Sequence, residues 1–180
     1  MSKVRFGVIG TGQIGHNSCK SILGHDQAEI LAASDVNEPR LKELTDKFEI
    51  GKSYTDSAVL INDPDLDAIY IGVPNKFHAP LAKASLEAGK HVILDKPFAM
   101  NIGEAQGVAD AAAASDKLFM VGMNQRFRGP SQTIRKLVAD GKLGEIYHAK
   151  AFWFRRSGIP RLGTWFGNKS MAGGGALLDI

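Results

Sequence analysis

The chain has 180 residues, of which 44% are hydrophobic and 23% are charged, and 22 Lys and Arg stand against 19 Asp and Glu for a formal net charge of +3. These values are ordinary for a soluble globular protein, and they exclude a disordered, collagen-like or coiled-coil chain. The length is sufficient for one full domain and part of a second.

Short apolar runs alternate with helix-like stretches over residues 1–124. Continuous apolar runs are typical of strands in a parallel sheet that is covered on both faces. Strands that alternate with helices indicate right-handed crossovers, so we predict an α/β fold with a doubly wound parallel sheet. The predicted strands are Val4–Ile9, Ile30–Ser34, Ala68–Val73, His91–Leu94 and Phe119–Met123, and the predicted helices are Gln13–Leu23, Pro39–Phe48, Phe77–Ala88 and Ile102–Ala114.

The pattern changes near residue 124. A helix is predicted over Ser131–Asp140, closed by Gly141, and the alternating segment Ile146–Phe154 predicts a strand with one polar face. Residues 172–180 are helix-like. We therefore expect residues 1–124 to form one domain and residues 125–180 to begin an α+β domain that is incomplete.

Charge and cysteine content indicate the setting of the protein. Residues 1–124 hold 12 basic and 16 acidic side chains, whereas residues 125–180 hold 10 basic and 3 acidic ones. The basic residues are scattered rather than clustered, so a solvated or subunit-facing surface is favoured over a nucleic-acid interface. No apolar run approaches the roughly 18 residues of a membrane span, and the N-terminus has no signal-peptide pattern. With Cys19 as the single cysteine, we expect a cytoplasmic protein.

A glycine-rich string, Gly10-Thr11-Gly12-Gln13-Ile14-Gly15, lies between the first predicted strand and the first predicted helix. This context is typical of a dinucleotide-binding loop of the Rossmann type. The first glycine permits a tight turn, the second lets the backbone approach a pyrophosphate, and the third lets helix and strand pack closely. The helix N-terminus would supply free N–H groups to the phosphates.

Asp35, at the end of the second predicted strand, bears on which dinucleotide binds. A carboxylate there accepts hydrogen bonds from ribose hydroxyls and repels a 2′-phosphate, so NAD is favoured over NADP. Arg40 lies five residues later, where it could accommodate a phosphate, but it falls within the next predicted helix, and a solvated surface arginine is the simpler explanation.

Two further polar segments follow predicted strands, residues 73–78 and residues 94–98. The carboxyl ends of parallel strands form the rim at which open α/β sheets bind ligands. Lys96 lies in the second segment, and a lysine beside a positive nicotinamide ring would be adapted to proton transfer. The histidines show no metal-ligand spacing with Cys19, and we predict no metal site.

These motifs together resemble the glucose–fructose oxidoreductase, inositol dehydrogenase and rhizopine catabolism (Gfo/Idh/MocA) family of NAD(P)-dependent oxidoreductases. Besides the glycine string, the resemblance includes Asp95-Lys96-Pro97, which is similar to a Glu-Lys-Pro motif. It also includes the segments 121–127 and 173–180, the latter preceded by Trp165. The family implies hydride transfer between nicotinamide and a secondary hydroxyl of a sugar or polyol.

The resemblance also implies roles for individual residues. Lys96 would contact the substrate hydroxyl and the nicotinamide ribose, and Asp179 would match an aspartate that binds and orients the substrate. The cofactor would be bordered by residues that follow the strands, namely Gly72, Pro74, Asn75, His78, Asp95, Lys96 and Asn124. Partners would be a small sugar or polyol and, for the complete protein, further copies of the same chain.

The sequence departs from the family pattern at its end. The family has a histidine four residues beyond the aspartate, whereas this chain has one residue after Asp179, and family members have roughly twice its length. We therefore expect a truncated form that binds the cofactor. Alternative hypotheses are a non-catalytic dinucleotide-binding module and, through the basic C-terminal third, a nucleic-acid-binding protein.

Overall fold

The computed structural model describes residues 2–152, 154, 163–175 and 178. Within them, six parallel strands form one sheet in the order β3-β2-β1-β4-β5-β6. The strands are β1 Val4–Ile9, β2 Ala28–Ser34, β3 Lys52–Tyr54, β4 Ala68–Ile71, β5 His91–Leu94 and β6 Phe119–Val121. The helices are α1 Gln13–Leu23, α2 Glu38–Phe48, α3 Ser57–Ile61, α4 His78–Glu87, α5 Ile102–Ala114, α6 Gly129–Ala139 and α7 Lys169–Ala172.

Two apolar cores cover the two faces of the sheet. In a strand, successive side chains point to opposite faces, and accordingly Val8 belongs to the core beneath α1 and α2 while Ile9 belongs to the core beneath α3, α4 and α5. In β4, Tyr70 points to the first face, and Ile69 and Ile71 point to the second. Burial on both faces explains why these strands are continuous apolar runs in the sequence.

Local sequence signals determine where several helices begin and end. The Asn37 side chain accepts a hydrogen bond from the Arg40 N–H at the start of α2, and Asn101 does the same for Glu104 at the start of α5. Such caps satisfy N–H groups that the helix cannot pair internally. Gly89, with a φ of 73°, follows α4, and Gly141, with a φ of 67°, follows α6, as expected for glycine at a helix end.

The α/β fold with a doubly wound parallel sheet is confirmed. The bounds of β1, β5, α1 and α5 agree with those expected from the sequence. The other predicted elements differ at their ends by one or two residues. β4 ends at Ile71 and β6 at Val121, two residues early in each case, and β2 and α6 begin two residues early, at Ala28 and Gly129. α2 begins one residue early, α4 is shorter by one residue at each end, and α6 ends one residue early. The short elements β3, α3 and α7 and the 3₁₀ turns are additional to the prediction.

The strand predicted over residues 146–154 is wrong for the residues described there, 146–152 and 154, which have no regular secondary structure. A β-strand needs a neighbouring backbone to pair with, and no described strand lies beside this segment. The helix expected over residues 172–180 is interrupted at its start, because α7 ends at Ala172 and Gly173, with a φ of 85°, is not helical. Leu178 is helical, and residues 176, 177, 179 and 180 lie outside the described residues. Among the described residues, no helix is both long and apolar enough to cross a membrane.

Candidate active site

The site lies at the carboxyl edge of the sheet, where β1 and β4 are neighbours. The chain leaves β1 for α1 on one face of the sheet, and it leaves β4 for α4 on the other face. Since the two connections diverge, a crevice opens between them at this edge. In open α/β sheets such a switch point is where ligands bind.

The glycine loop after β1 leaves room for backbone and ligand rather than for side chains. Gly10 has a φ of 95°, and a Cβ added there would overlap the carbonyl oxygen of Gly72 on the neighbouring strand exit. A Cβ added to Gly15 would overlap the carbonyl oxygen of Gly10. A Cβ on Gly12, in contrast, would meet no protein atom within 4 Å. Gly10 and Gly15 are therefore required by packing, whereas Gly12 faces open space at the start of α1.

The N-terminus of α1 is suited to an anion. Its N-cap residue is Gly12, which has no side chain to accept a hydrogen bond from the first N–H groups of the helix. The first N–H groups of a helix have no intrahelical acceptor, and the helix dipole adds a partial positive charge there. Gln13 and Ile14 are both exposed on this first turn. These features fit a pyrophosphate, which supplies acceptor oxygens and negative charge.

Asp35 connects the glycine loop to the exit of β2. Its Oδ2 accepts hydrogen bonds from the N–H and the hydroxyl of Thr11 at 2.8 and 2.9 Å, and its Oδ1 accepts one from the N–H of Asn37 at 2.8 Å. Thr11 is buried, while Asp35 is half-buried. Because a carboxylate can accept about four hydrogen bonds, capacity remains for a ribose hydroxyl.

An exposed apolar side chain beside Asp35 was not predicted as part of the site. Val36 is 90% exposed, although it is apolar and lies only two residues beyond the buried end of β2. Ile14, across the glycine loop, is 44% exposed. Apolar side chains at the rim of a nucleotide site can pack against a base, and the position of Val36 immediately after Asp35 is the sequence signal that could have identified it.

Gly72, at the exit of β4, is held between the two sides of the crevice. A Cβ there would lie 2.8 Å from Cε1 of Tyr70 and 3.5 Å from Cγ2 of Ile14. Tyr70 is itself buried, and burial raises the pKa of its hydroxyl, with a further rise from the charge of Asp95. The phenol is therefore a neutral packing group beneath the site.

Two polar side chains are buried in the segment that follows Gly72, which continues as the 3₁₀ turn Asn75–Phe77 and then as α4. Nδ2 of Asn75 donates a hydrogen bond to the carbonyl oxygen of Ala172 at 2.7 Å. The His78 ring lies between the carbonyl oxygens of Pro97, 2.7 Å from Nδ1, and Val73, 2.8 Å from Nε2. Both ring nitrogens of His78 therefore lie against backbone carbonyl groups. The predicted contact of His78 with the cofactor would then be made through neighbouring residues.

The loop after β5 carries Lys96, which is half-buried. The Lys96–Pro97 peptide bond is cis. Asp95 continues the sheet through its N–H, which donates to the carbonyl of Ile71 at 2.9 Å. A Cβ on Gly122, after β6, would lie 3.6 Å from Oδ1 of Asp95, so the exits of β5 and β6 are also adjacent.

The predicted site residues thus fall into three groups. The structure brings the residues after β1, β2, β4 and β5 to one edge of the sheet, including Pro74, which is half-buried before the 3₁₀ turn. Asn124 lies after β6 in the exposed 3₁₀ turn Asn124–Phe127. Asp179 lies outside the described residues.

Charged side chains at the opposite, amino edge of the sheet are paired with each other. Nζ of Lys52 contacts the carboxylates of Asp63 at 2.9 Å and Asp65 at 2.6 Å, and the Tyr54 hydroxyl donates to Asp63 at 3.1 Å. This network joins β3 to the segment before β4. Within the described part of the chain, no group of three or more His, Cys, Asp or Glu side chains has an arrangement suited to a metal ion.

Comparison with protein families identifies the group to which these features belong. The family described as "Oxidoreductase family, NAD-binding Rossmann fold" (GFO_IDH_MocA) matches residues 4–123. The chain belongs to the Gfo/Idh/MocA oxidoreductase family. A C-terminal domain of the same family matches residues 131–180.

Individual relatives agree with this membership. The D-glucoside 3-dehydrogenase of Escherichia coli (strain K12) is 32% identical over 180 residues, which cover 99% of this chain and 51% of the relative. The crystal structure of an NAD-binding oxidoreductase from Klebsiella pneumoniae superposes with a TM-score of 0.82 at 26% identity, covering 99% of this chain and 50% of that one. The scyllo-inositol dehydrogenase of Lactobacillus casei with bound NAD(H) and scyllo-inositol gives 0.76 at 26% identity, covering 80% and 43%. The chain thus spans about half the length of the curated relatives it matches.

Proposed function

We propose that the carboxyl edge of this sheet binds NAD(H), and that the protein transfers a hydride between nicotinamide and a secondary hydroxyl of a sugar or polyol. The observation that carries the proposal is the combination of an open cradle at Gly12 with the carboxylate of Asp35 beside it. The open space at Gly12 would accommodate a pyrophosphate, and the Asp35 carboxylate would accept hydrogen bonds from the adenosine ribose.

Each part of the dinucleotide corresponds to residues of this edge. The N–H groups at the start of α1 would hold the pyrophosphate, with Thr11, Gln13 and Ile14 lining the turn. Val36, exposed after Asp35, would pack against the adenine. The nicotinamide half would lie along the exits of β4 and β5, bordered by the predicted residues that follow these strands, Gly72, Pro74, Asn75, Asp95 and Lys96, with Asn124 beyond β6.

NAD⁺, when bound, accepts a hydride at nicotinamide C4. The chain's own contribution is to position the substrate and to move a proton. Nζ of Lys96 would take the proton of the substrate hydroxyl as the hydride leaves the carbon, which avoids a build-up of positive charge on the oxygen. Asp179 would bind and orient the substrate. We also propose that residues 1–124 form the cofactor domain and that residues 125–180 begin the substrate domain, since almost all of the buried side chains lie in the first part.

Cofactor choice is tested by calorimetric titration of the 180-residue chain with NADH and with NADPH. The Asp35 carboxylate should make NADH bind at least about tenfold more tightly, a difference of about 1.4 kcal/mol. Asp35→Asn should reduce this preference, because the amide no longer repels a 2′-phosphate, while Asp26→Asn, at an exposed site, should leave it unchanged. Equal affinities in the wild-type chain would refute the assignment to NAD.

The role of Lys96 is tested in a protein that carries a complete substrate domain. Lys96→Met should lower kcat about a hundredfold or more, the usual contribution of a proton-transfer group, and leave NADH affinity within a fewfold. Lys76→Met is the matched control, since Lys76 is exposed on the neighbouring 3₁₀ turn. A near-normal kcat in Lys96→Met would refute the role. Light scattering on the same protein tests the predicted homo-oligomer.

A further inference from the structure

Two of the polar side chains at the site are nearly inaccessible to solvent. Asn75 is 4% exposed and His78 is 1% exposed. Both follow β4 and lie three residues apart, Asn75 at the start of the 3₁₀ turn and His78 at the start of α4. Burial of a polar group costs free energy unless it is hydrogen-bonded, so a simple packing position would be filled by an apolar side chain. The chain instead uses both side chains to hold backbone carbonyl groups.

The carbonyl groups belong to two separate segments of the chain. His78 contacts the carbonyl of Pro97, the residue that directly follows Lys96. Asn75 contacts the carbonyl of Ala172, the last residue of α7 and 97 positions away along the chain. The two segments also approach each other, because a Cβ on Gly173 would lie 3.5 Å from Cβ of Met100. The residues that follow β4 therefore contact both segments.

The geometry of the His78 ring agrees with a bridging role. A carbonyl oxygen only accepts hydrogen bonds, and both ring nitrogens lie within 2.8 Å of one. A ring nitrogen that carries a proton donates it to the carbonyl oxygen beside it. The second contact, to Val73, fixes the ring to the exit of β4 itself.

We infer that Asn75 and His78 are positioning residues, which hold the Lys96 loop and the segment leading to Asp179 in a fixed relation at the cofactor edge. This inference rests on the proposed function, since it concerns the two side chains assigned to the reaction. His78 sets the position of residues 97–100. Asn75 sets that of residues 172–175, and neither side chain itself handles a proton of the substrate.

Hydrogen exchange on the 180-residue chain tests the two halves of the inference separately. Asn75→Asp removes the amide donor at constant size, and it should speed exchange at the Ala172 and Gly173 amides about tenfold or more, with Met100 changed less than twofold. His78→Gln should give the opposite pattern, with faster exchange at Met100. A uniform increase across the sheet in both variants would mean a merely structural role and would overturn the inference.

Matched controls use the same substitutions at exposed sites. Asn62→Asp removes an amide-to-carbonyl hydrogen bond of 2.8 Å within α3 and its cap, and His25→Gln changes an exposed ring. Both should leave exchange at Met100 and Ala172 unchanged. If His78→Gln does not fold, His78→Asn takes its place, with the same faster exchange expected at Met100, and exchange at Met100 equal to that of the wild-type chain would overturn the inference.

A chemical readout addresses Lys96 itself. In the wild-type chain, NADH should slow the acetylation of Lys96 by acetic anhydride, measured by mass spectrometry against the exposed Lys76. In His78→Gln this protection should fall severalfold, measured at an NADH concentration that calorimetry shows to saturate each protein. Undiminished protection in His78→Gln would overturn the inference. A failure of NADH to bind the wild-type chain would instead refute the proposed function, and the exchange pattern would still test the two contacts.

Discussion

Substitution of two glycines in the loop after β1 should separate cofactor binding from folding. Gly12→Ala places a methyl group in open space at the start of α1, with no protein atom within 4 Å. Gly15→Ala places the same group well inside the 3.0 Å that Cβ atoms require, against the carbonyl oxygen of Gly10. Because that oxygen belongs to the backbone, α1 or the loop must move to relieve the contact.

The expected magnitudes follow from these contacts. Overpacking of a tight interior costs about 1–3 kcal/mol, and a backbone neighbour places Gly15→Ala at or above the upper part of this range. At Gly12 the backbone is extended, with a φ of −69°, so alanine fits without strain. Glycine is the better N-cap residue, but alanine restricts the unfolded chain, and the two effects leave Gly12→Ala within about 1 kcal/mol of wild type. Its methyl group would occupy the path of a phosphate, and NADH affinity should fall at least about tenfold.

Urea unfolding and calorimetric titration with NADH measure the two quantities on the same samples. Gly51→Ala is the control, because its added Cβ also meets nothing within 4 Å and it lies away from the carboxyl edge. It should change neither stability nor affinity. Wild-type NADH affinity in Gly12→Ala, or wild-type stability in Gly15→Ala, would refute the reasoning.

Two further predictions concern ionisable groups in the first part of the chain. Hydrogen bonds from Arg5 lower the pKa of Asp67 from 3.8 to about 2, so its ionised form stabilises the fold above about pH 3.8, and this contribution is lost as the pH falls towards 2. Asp67→Asn should therefore weaken the acid dependence of the urea midpoint between these values, and Asp46→Asn, at an exposed site, should not. Burial raises the pKa of the Cys19 thiol to about 11, so iodoacetamide at pH 8 should alkylate it at least about a hundredfold more slowly in the native chain than in urea. Equal rates would show that the core beneath α1 opens readily.

The parts of the fold that could be predicted are those determined by local sequence. β1 and α1 have clear signals. The strand is an apolar run because it is buried on both faces of the sheet, and glycines mark the turn between the strand and the helix. β3, with three residues, and α3, with five, are too short to show a period. Their positions are determined by pairing with β2 and by packing on the sheet, which depend on distant residues.

The candidate site could be predicted to the same extent. The glycine string, Asp35 and Lys96 have recognisable neighbours in sequence, and the structure places them at one edge. The partners of Asn75 and His78 are 97 and 19 positions away, and no pattern of single residues indicates which carbonyl group a buried amide or imidazole will contact. In segment 146–154, the sequence pattern predicted an element that the described residues do not form. Alternating apolar and polar residues indicate which side chains could face a core, but they do not indicate whether a partner strand is present.

Buried side chains are concentrated in residues 1–124, and Ala172 is the one described buried hydrophobic residue beyond them. Every described buried polar side-chain atom has a hydrogen-bond partner. At the carboxyl edge, Asn75 contacts Ala172 of α7, whereas the printed contacts of Asp35 and His78 lie within residues 1–124. α6, in contrast, has no buried residue, and Phe127, Ile134 and Tyr147 are all exposed. Exposed apolar side chains lower the stability of the segment that carries them, not that of a core with which they make few contacts. Cofactor binding should therefore depend on residues 1–124 alone, whereas the placement of a substrate depends on how residues 125–180 are covered.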